Sequence, residues 1–199
     1  MKLSVAISGK DAIPSAFVVW RGFEESMRKA SEYGYPGIEL ALKTSEDIHP
    51  ADLFRWLGRY NLEVSCISTG QVFAALGLYF THPDREIRNH VIKVFNGLVE
   101  LAANFGKMVN IGRARGFVGR GQTRKEAESL FLDTAGRICA FADKKGVALV
   151  LEPVNRYEIN FINNLDEGSE LLSRLGFSNM GLMPDVFHMN IEDDRIGDS

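Results

Sequence analysis

Cysteine is nearly absent from this 199-residue chain: Cys66 and Cys139 stand far apart, with neither a disulfide framework nor a metal-type Cys spacing. Histidine is sparse too, at four residues. Long apolar runs are missing, and nothing approaches the roughly 18 to 20 continuous residues of a membrane span. The opening Met1–Lys10 has too short an apolar stretch for a signal peptide. Neither sign of charge dominates, because 23 Lys+Arg face 26 Asp+Glu for a net −3. A phosphate backbone requires a basic footprint, so nucleic acid is not an expected partner. A membrane is not expected either, and a cytoplasmic location is. The dinucleotide fingerprint G-x-G-x-x-G and the P-loop are also absent.

What remains is ordinary for a folded domain: 45% hydrophobic and 25% charged residues. Disorder, collagen-like repeats and coiled coil are excluded on that composition. A chain of this size buries roughly 70% of its unfolded surface, enough for one sizeable core. Residues 1–199 therefore read as one domain.

Short apolar runs alternate with longer amphipathic ones. Six runs read as strands: Leu3–Ile7, Gly37–Leu42, Glu63–Ser68, Met108–Gly112, Val147–Glu152 and Gly181–Val186. Their branched aliphatic content, with little polar alternation, suits parallel strands covered on both faces. Helical spacing links Ile87, Val91, Val94, Phe95, Leu98, Ala102 and Phe105, and again Ala127, Leu130, Phe131, Ile138, Phe141 and Ala142. Thr123-Arg-Lys-Glu126 reads as a capping box. Pro50 and Pro83 stand where a first helical turn tolerates proline. Gly34, Gly106, Gly146 and Gly176 follow helix patterns as terminating glycines do. Strict β/α alternation implies a parallel sheet, either an open doubly wound one or a (β/α)₈ barrel.

In either architecture, sites are built at the carboxyl ends of the strands. Glu152 and Asp185 close two runs one β/α unit apart, so their side chains can meet. Converging carboxylates repel unless a cation or proton separates them, and hard divalent cations prefer such oxygens. Alternatively, each carboxylate caps the next helix or pairs with an arginine. His188 follows Asp185 by three residues, and both face one site only if the strand ends or bulges after Asp185. Between Leu101 and Lys125 there is no acid, and Arg113, Arg115 and Arg120 lie in a glycine-rich loop after the fourth strand. That loop either grips a phosphate or carboxylate of a substrate or is simply solvated.

Glu152-Pro-Val-Asn-Arg-Tyr-Glu158, Asn163-Asn-Leu-Asp-Glu-Gly168 and Asp185-Val-Phe-His-Met-Asn190 together resemble the xylose-isomerase-like TIM-barrel superfamily. Within it the sequence is most similar to ketose 3-epimerases of the D-tagatose and D-psicose type and to sugar-phosphate epimerases. Weaker likeness extends through Gly37-Ile-Glu-Leu40 and Ser68-Thr-Gly70. The resemblance implies an α/β fold, a (β/α)₈ TIM barrel of which about six of eight units are present, lacking the last strands. It implies a divalent metal (Mn²⁺, Co²⁺ or Mg²⁺) held by Glu152 and Asp185, with Glu152 also an acid/base. Glu158 and His188 would bind a sugar or sugar phosphate near its carbonyl, and Arg113 and Arg115 are candidates for a phosphate or acid group. The family's remaining ligands come from the seventh and eighth strands, and with Glu152 alone proton exchange would occur on one face only. Unpaired strand edges would favour a homo-oligomer. Two rival readings stand beside this one. An apurinic endonuclease-like metal phosphodiesterase would gather several histidines, and a truncated barrel could have no catalysis at all.

Overall fold

The computed structural model describes residues 2–13, 18–193 and 196–198. Its centre is a parallel sheet of β1 (Ser4–Ser8), β2 (Trp20–Arg21), β3 (Gly37–Ala41), β4 (Glu63–Ser68), β5 (Met108–Ile111), β6 (Ala148–Leu151) and β7 (Met180–Leu182). The strands lie in the order β2-β1-β3-β4-β5-β6-β7. Every neighbouring pair is parallel, with one register irregularity between Ile38 and Glu39. Helices α1 (Phe23–Glu32), α2 (Pro50–Tyr60), α3 (Gly70–Leu76), α4 (Arg85–Asn104), α5 (Arg124–Lys144), α6 (Leu165–Leu175) and α7 (Val186–Glu192) occupy the connections. The result is six successive β/α units on a parallel sheet, as the alternation predicts, in the TIM-barrel arrangement that the resemblance implies. β2 is additional: it pairs alongside β1 through Ile7–Trp20 and Ser8–Arg21. Two residues are too few to leave a periodic signature in the sequence.

Burial explains the lack of polar alternation. Leu40, Ile67, Val109, Ile111, Leu149 and Leu151 are wholly inaccessible, and so are Val91, Phe95 and Leu98 of α4 and Phe131 and Ile138 of α5. Phe80 joins Phe95 at 4.9 Å and Phe131 at 5.9 Å, and Phe131 joins Phe161 at 6.0 Å between ring centroids. This aromatic series ties α4 and α5 to the loop that follows β6, in the edge-on and offset geometries aromatic rings prefer. Among the described residues, no helix is long and apolar enough to cross a membrane.

Helix termini largely follow the local signals. The Thr123 hydroxyl accepts from the Glu126 N–H while the Glu126 carboxylate accepts from the Thr123 N–H, completing the capping box. Pro50 opens α2, with His49 Nδ1 accepting from the Ala51 N–H. Pro83 does not open α4. Asp84 caps that helix by accepting from the Glu86 N–H at 2.8 Å, leaving Pro83 just outside. Gly106 has φ +82° and approaches β4 so closely that a Cβ there would stand 2.6 Å from the Val64 carbonyl oxygen. The sixth expected strand, Gly181–Val186, is instead Met180–Leu182, and this difference decides the geometry of the site.

Candidate active site

Glu152 directly follows β6, and its N–H donates to the Ile111 carbonyl, continuing the β5–β6 ladder to the strand end. Its carboxylate enters a cavity of about 460 Å³ at the carboxyl ends of the strands. Glu39 of β3, Asn110 of β5, Arg113, Glu158, Asp185 and His188 also line this cavity. Asn110 interrupts the apolar run Met108-Val-Asn-Ile111 and is buried; its Nδ2 donates to Glu152 Oε2 at 2.9 Å. A polar residue in a strand covered on both faces is the only sequence signal that could have identified it. Gly112 leaves room for the same carboxylate, since a Cβ there would lie 3.0 Å from Glu152 Oε2.

Asp185 both caps a helix and faces the cavity. β7 ends at Leu182, and Asp185 becomes the N-cap of α7, its Oδ1 accepting from the Phe187 N–H at 2.8 Å. Its Oδ2 lies 3.9 Å from His188 Nε2, and Glu152 Oε1 lies 3.9 Å from the same nitrogen. The helical turn makes residues three apart neighbours, which an extended chain would not do. Glu152, Asp185 and His188 thus offer one ligand atom each within 4.8 Å of one another.

The electrostatics favour a cation here. Burial pushes the Glu152 carboxyl up to about 7, and the Asp185 and Glu39 carboxylates add to the rise. The Asn110 hydrogen bond opposes it, with Arg115 acting in the same sense. Glu39 is also raised, chiefly by burial. Sequence inspection did not single it out as a site residue, because Gly-Ile-Glu-Leu reads as ordinary strand. Three carboxyl groups in one half-buried mouth are a hard-oxygen donor set under mutual repulsion, which a divalent cation relieves. A divalent metal therefore fits Glu152 and Asp185. Cys66, also buried, has its thiol pushed up to about 12 by burial and by Glu39 and Glu152, so it stays protonated.

Glu158 is exposed on the rim and accepts from Asn155 Nδ2 at 3.3 Å. Arg113 lines the cavity with its guanidinium 5.8 Å from the Phe73 ring centroid. Arg115 corrects the expectation of a substrate-gripping arginine. It is wholly buried, and its nitrogens donate to the carbonyls of Phe161 (2.8 Å), Ile162 (2.7 Å), Glu152 (3.1 Å), Gly112 (3.2 Å) and Val154 (3.5 Å). Burial pulls its pKa down to about 9, leaving a cation at neutral pH. With these donors committed, Arg115 ties the loop after β5 to the loop after β6 and does not reach a substrate.

Residues 27–199 match the family described as xylose isomerase-like TIM barrel. A probable ketose 3-epimerase of Synechocystis sp. is 27% identical over 184 residues, covering 88% of this chain and 62% of the relative. The chain thus spans about three fifths of that relative's length. Among solved structures, a D-psicose 3-epimerase with D-tagatose from Clostridium cellulolyticum H10 superimposes with TM-score 0.76 at 18% identity, covering 98% of this chain and 68% of the other. A family 2 AP endonuclease from Brucella melitensis gives TM-score 0.78 at 20% identity, covering 98% and 73%. Both structural likenesses speak for the fold alone. With 173 consecutive residues matched, and with parallel β/α units that bring acidic groups to the strand ends, the chain belongs to the xylose isomerase-like TIM-barrel family.

Proposed function

We propose that this site belongs to a divalent-metal-dependent isomerase or epimerase of sugars or sugar phosphates, acting as a ketose 3-epimerase through an enediolate. The observation that carries the reading is the convergence of Glu152, Asp185 and His188 in one cavity of about 460 Å³, within the range of small-molecule pockets. A bound Mn²⁺, Co²⁺ or Mg²⁺ would polarise the ketone and share the enediolate's charge.

The chain's own residues account for the rest. Glu152 and Asp185 hold the cation. Glu152, at the end of β6 and facing the cavity, takes a proton from the carbon beside the ketone and returns it. Asn110 and Gly112 keep Glu152 Oε2 in place, leaving Oε1 toward the cavity. His188 and Glu158 line the same cavity, where His188 would contact the carbonyl oxygen and Glu158 at the rim a neighbouring hydroxyl. Inversion further requires an acid/base group on the opposite face of the carbon. The phosphodiesterase alternative would need several histidines at the mouth. Among the described residues His188 lines the cavity, while His49 and His82 accept from backbone N–H groups at helix starts and His90 is exposed on α4.

Incubation in D₂O with Mn²⁺ and a panel of ketoses and ketose phosphates tests the reading by mass spectrometry. Metal-dependent deuterium uptake beside the carbonyl is expected, with loss in Glu152→Ala. Absence of uptake for every substrate, or uptake indifferent to Glu152→Ala, refutes it. A C3 epimer among the products would show that a second acid/base group is available.

A further inference from the structure

We infer that Asn155 is a positioning residue: it fixes His188, which the proposed function sets against the substrate, as the Nε2–H tautomer. Asn155 is buried at 2% exposure, three residues after Glu152 in the loop that follows β6. Its Oδ1 accepts from the Tyr157 N–H at 3.0 Å, and its Nδ2 lies 3.3 Å from the Glu158 carboxylate and 2.8 Å from His188 Nδ1. Reversing the amide would set an NH₂ against the Tyr157 N–H and an oxygen against the Glu158 carboxylate. Both contacts reject it, so the NH₂ faces His188 and Nδ1 must accept.

A neutral imidazole that accepts at Nδ1 carries its proton at Nε2. Nε2 is the nitrogen 3.9 Å from both Glu152 Oε1 and Asp185 Oδ2, too far for a direct hydrogen bond to either. The N–H therefore points into the space between the two carboxylates. A nitrogen bearing a proton has no lone pair in the ring plane to give a cation. Histidines that ligate metals donate from their other nitrogen to a carboxylate or carbonyl, the reverse of the arrangement here. Although its Nε2 lies close enough to join a metal cluster, His188 is held in the donor form. Its N–H suits a carbonyl or enediolate oxygen, which gains negative charge as the neighbouring proton leaves.

This inference rests on the proposed sugar chemistry for its functional meaning, but its test is spectroscopic and independent of turnover. Nitrogen-15 NMR of the imidazoles is recorded on the metal-free chain at pH 8, above the ordinary histidine range, with His188→Gln assigning the signal. Wild type should show the Nε2–H form of His188. In Asn155→Asp the carboxylate replaces the NH₂ as neighbour of Nδ1, and the proton should be found on Nδ1. Mn²⁺ titration followed by electron paramagnetic resonance supplies the second reading. His188→Gln should leave Mn²⁺ affinity unchanged in the wild-type background and lower it at least about tenfold in N155D, where Nε2 has become free to ligate. A wild-type His188 with its proton on Nδ1 overturns the inference even if N155D fails to fold. So does a tenfold loss of Mn²⁺ affinity on His188→Gln alone. Failure of deuterium exchange would instead strike the proposed reaction and leave the tautomer result standing.

Discussion

Replacing Glu152 by glutamine should make the metal-free protein more stable, by an amount that grows as pH rises from about 4.5 to about 7. The Glu152 side chain is 17% exposed and lies in the field of Asp185 and Glu39. Its carboxyl is raised from 4.5 to about 7, so folding favours the protonated form. The associated stability is whole below pH 4.5 and is lost as pH rises through about 7, where the buried group must ionise. That elevation corresponds to about 3 kcal/mol. Glutamine keeps an acceptor for Asn110 and carries no charge. Chelator-treated Glu152→Gln should therefore match wild type near pH 4.5 and exceed it by about 3 kcal/mol at pH 8.5, or about 6 to 12 °C in Tm for a chain of this length. Thermal unfolding followed by circular dichroism across that range measures the difference. Added Mn²⁺ should reverse the order at a thousandfold excess over Kd, stabilising wild type by about 4.1 kcal/mol and leaving the variant little changed. A wild-type-minus-variant difference that is flat with pH, or that grows in favour of wild type in the chelated protein, refutes the electrostatic argument.

Arg113 and Arg115, two residues apart in the same loop, should separate cleanly. Arg115→Met strands buried carbonyls of two loops without donors and should cost on the order of 3 kcal/mol, seen as a Tm lower by about 6 to 12 °C. A melting temperature within about 2 °C of wild type would show that these bonds are replaced by other contacts. Arg113→Ala should leave the melting temperature near wild type while lowering exchange on phosphorylated or acidic sugars at least about tenfold relative to neutral ones. Equal loss on both substrate classes would exclude Arg113 as the anion contact.

The sequence was most informative where physics is local or strictly periodic. Branched aliphatic runs marked β1 and β3 to β7, because strands covered on both faces carry few polar residues. The Thr123–Glu126 capping box was legible because its two hydrogen bonds span only four residues. Glu152 and Asp185 fall at one mouth on sequence alone, since parallel β/α units bring successive strand ends together. Other features depend on where elements stop and what packs over them. Asp185 and His188 share a site only because β7 ends at Leu182 and a helix begins at Asp185, placing residues three apart on one face. Glu39 and Asn110 join Glu152 in one cavity because β3, β5 and β6 run parallel in one sheet, which no single segment encodes. Arg113 and Arg115 are chemically identical, two residues apart in one glycine-rich loop. Only packing against Phe161 and Ile162 commits one to the interior while the other lines the cavity. The chain thus determines its strands, its caps and its acidic strand ends by itself. Tertiary structure decides which polar atoms are left without solvent, and hence which residues hold the site and which hold the fold.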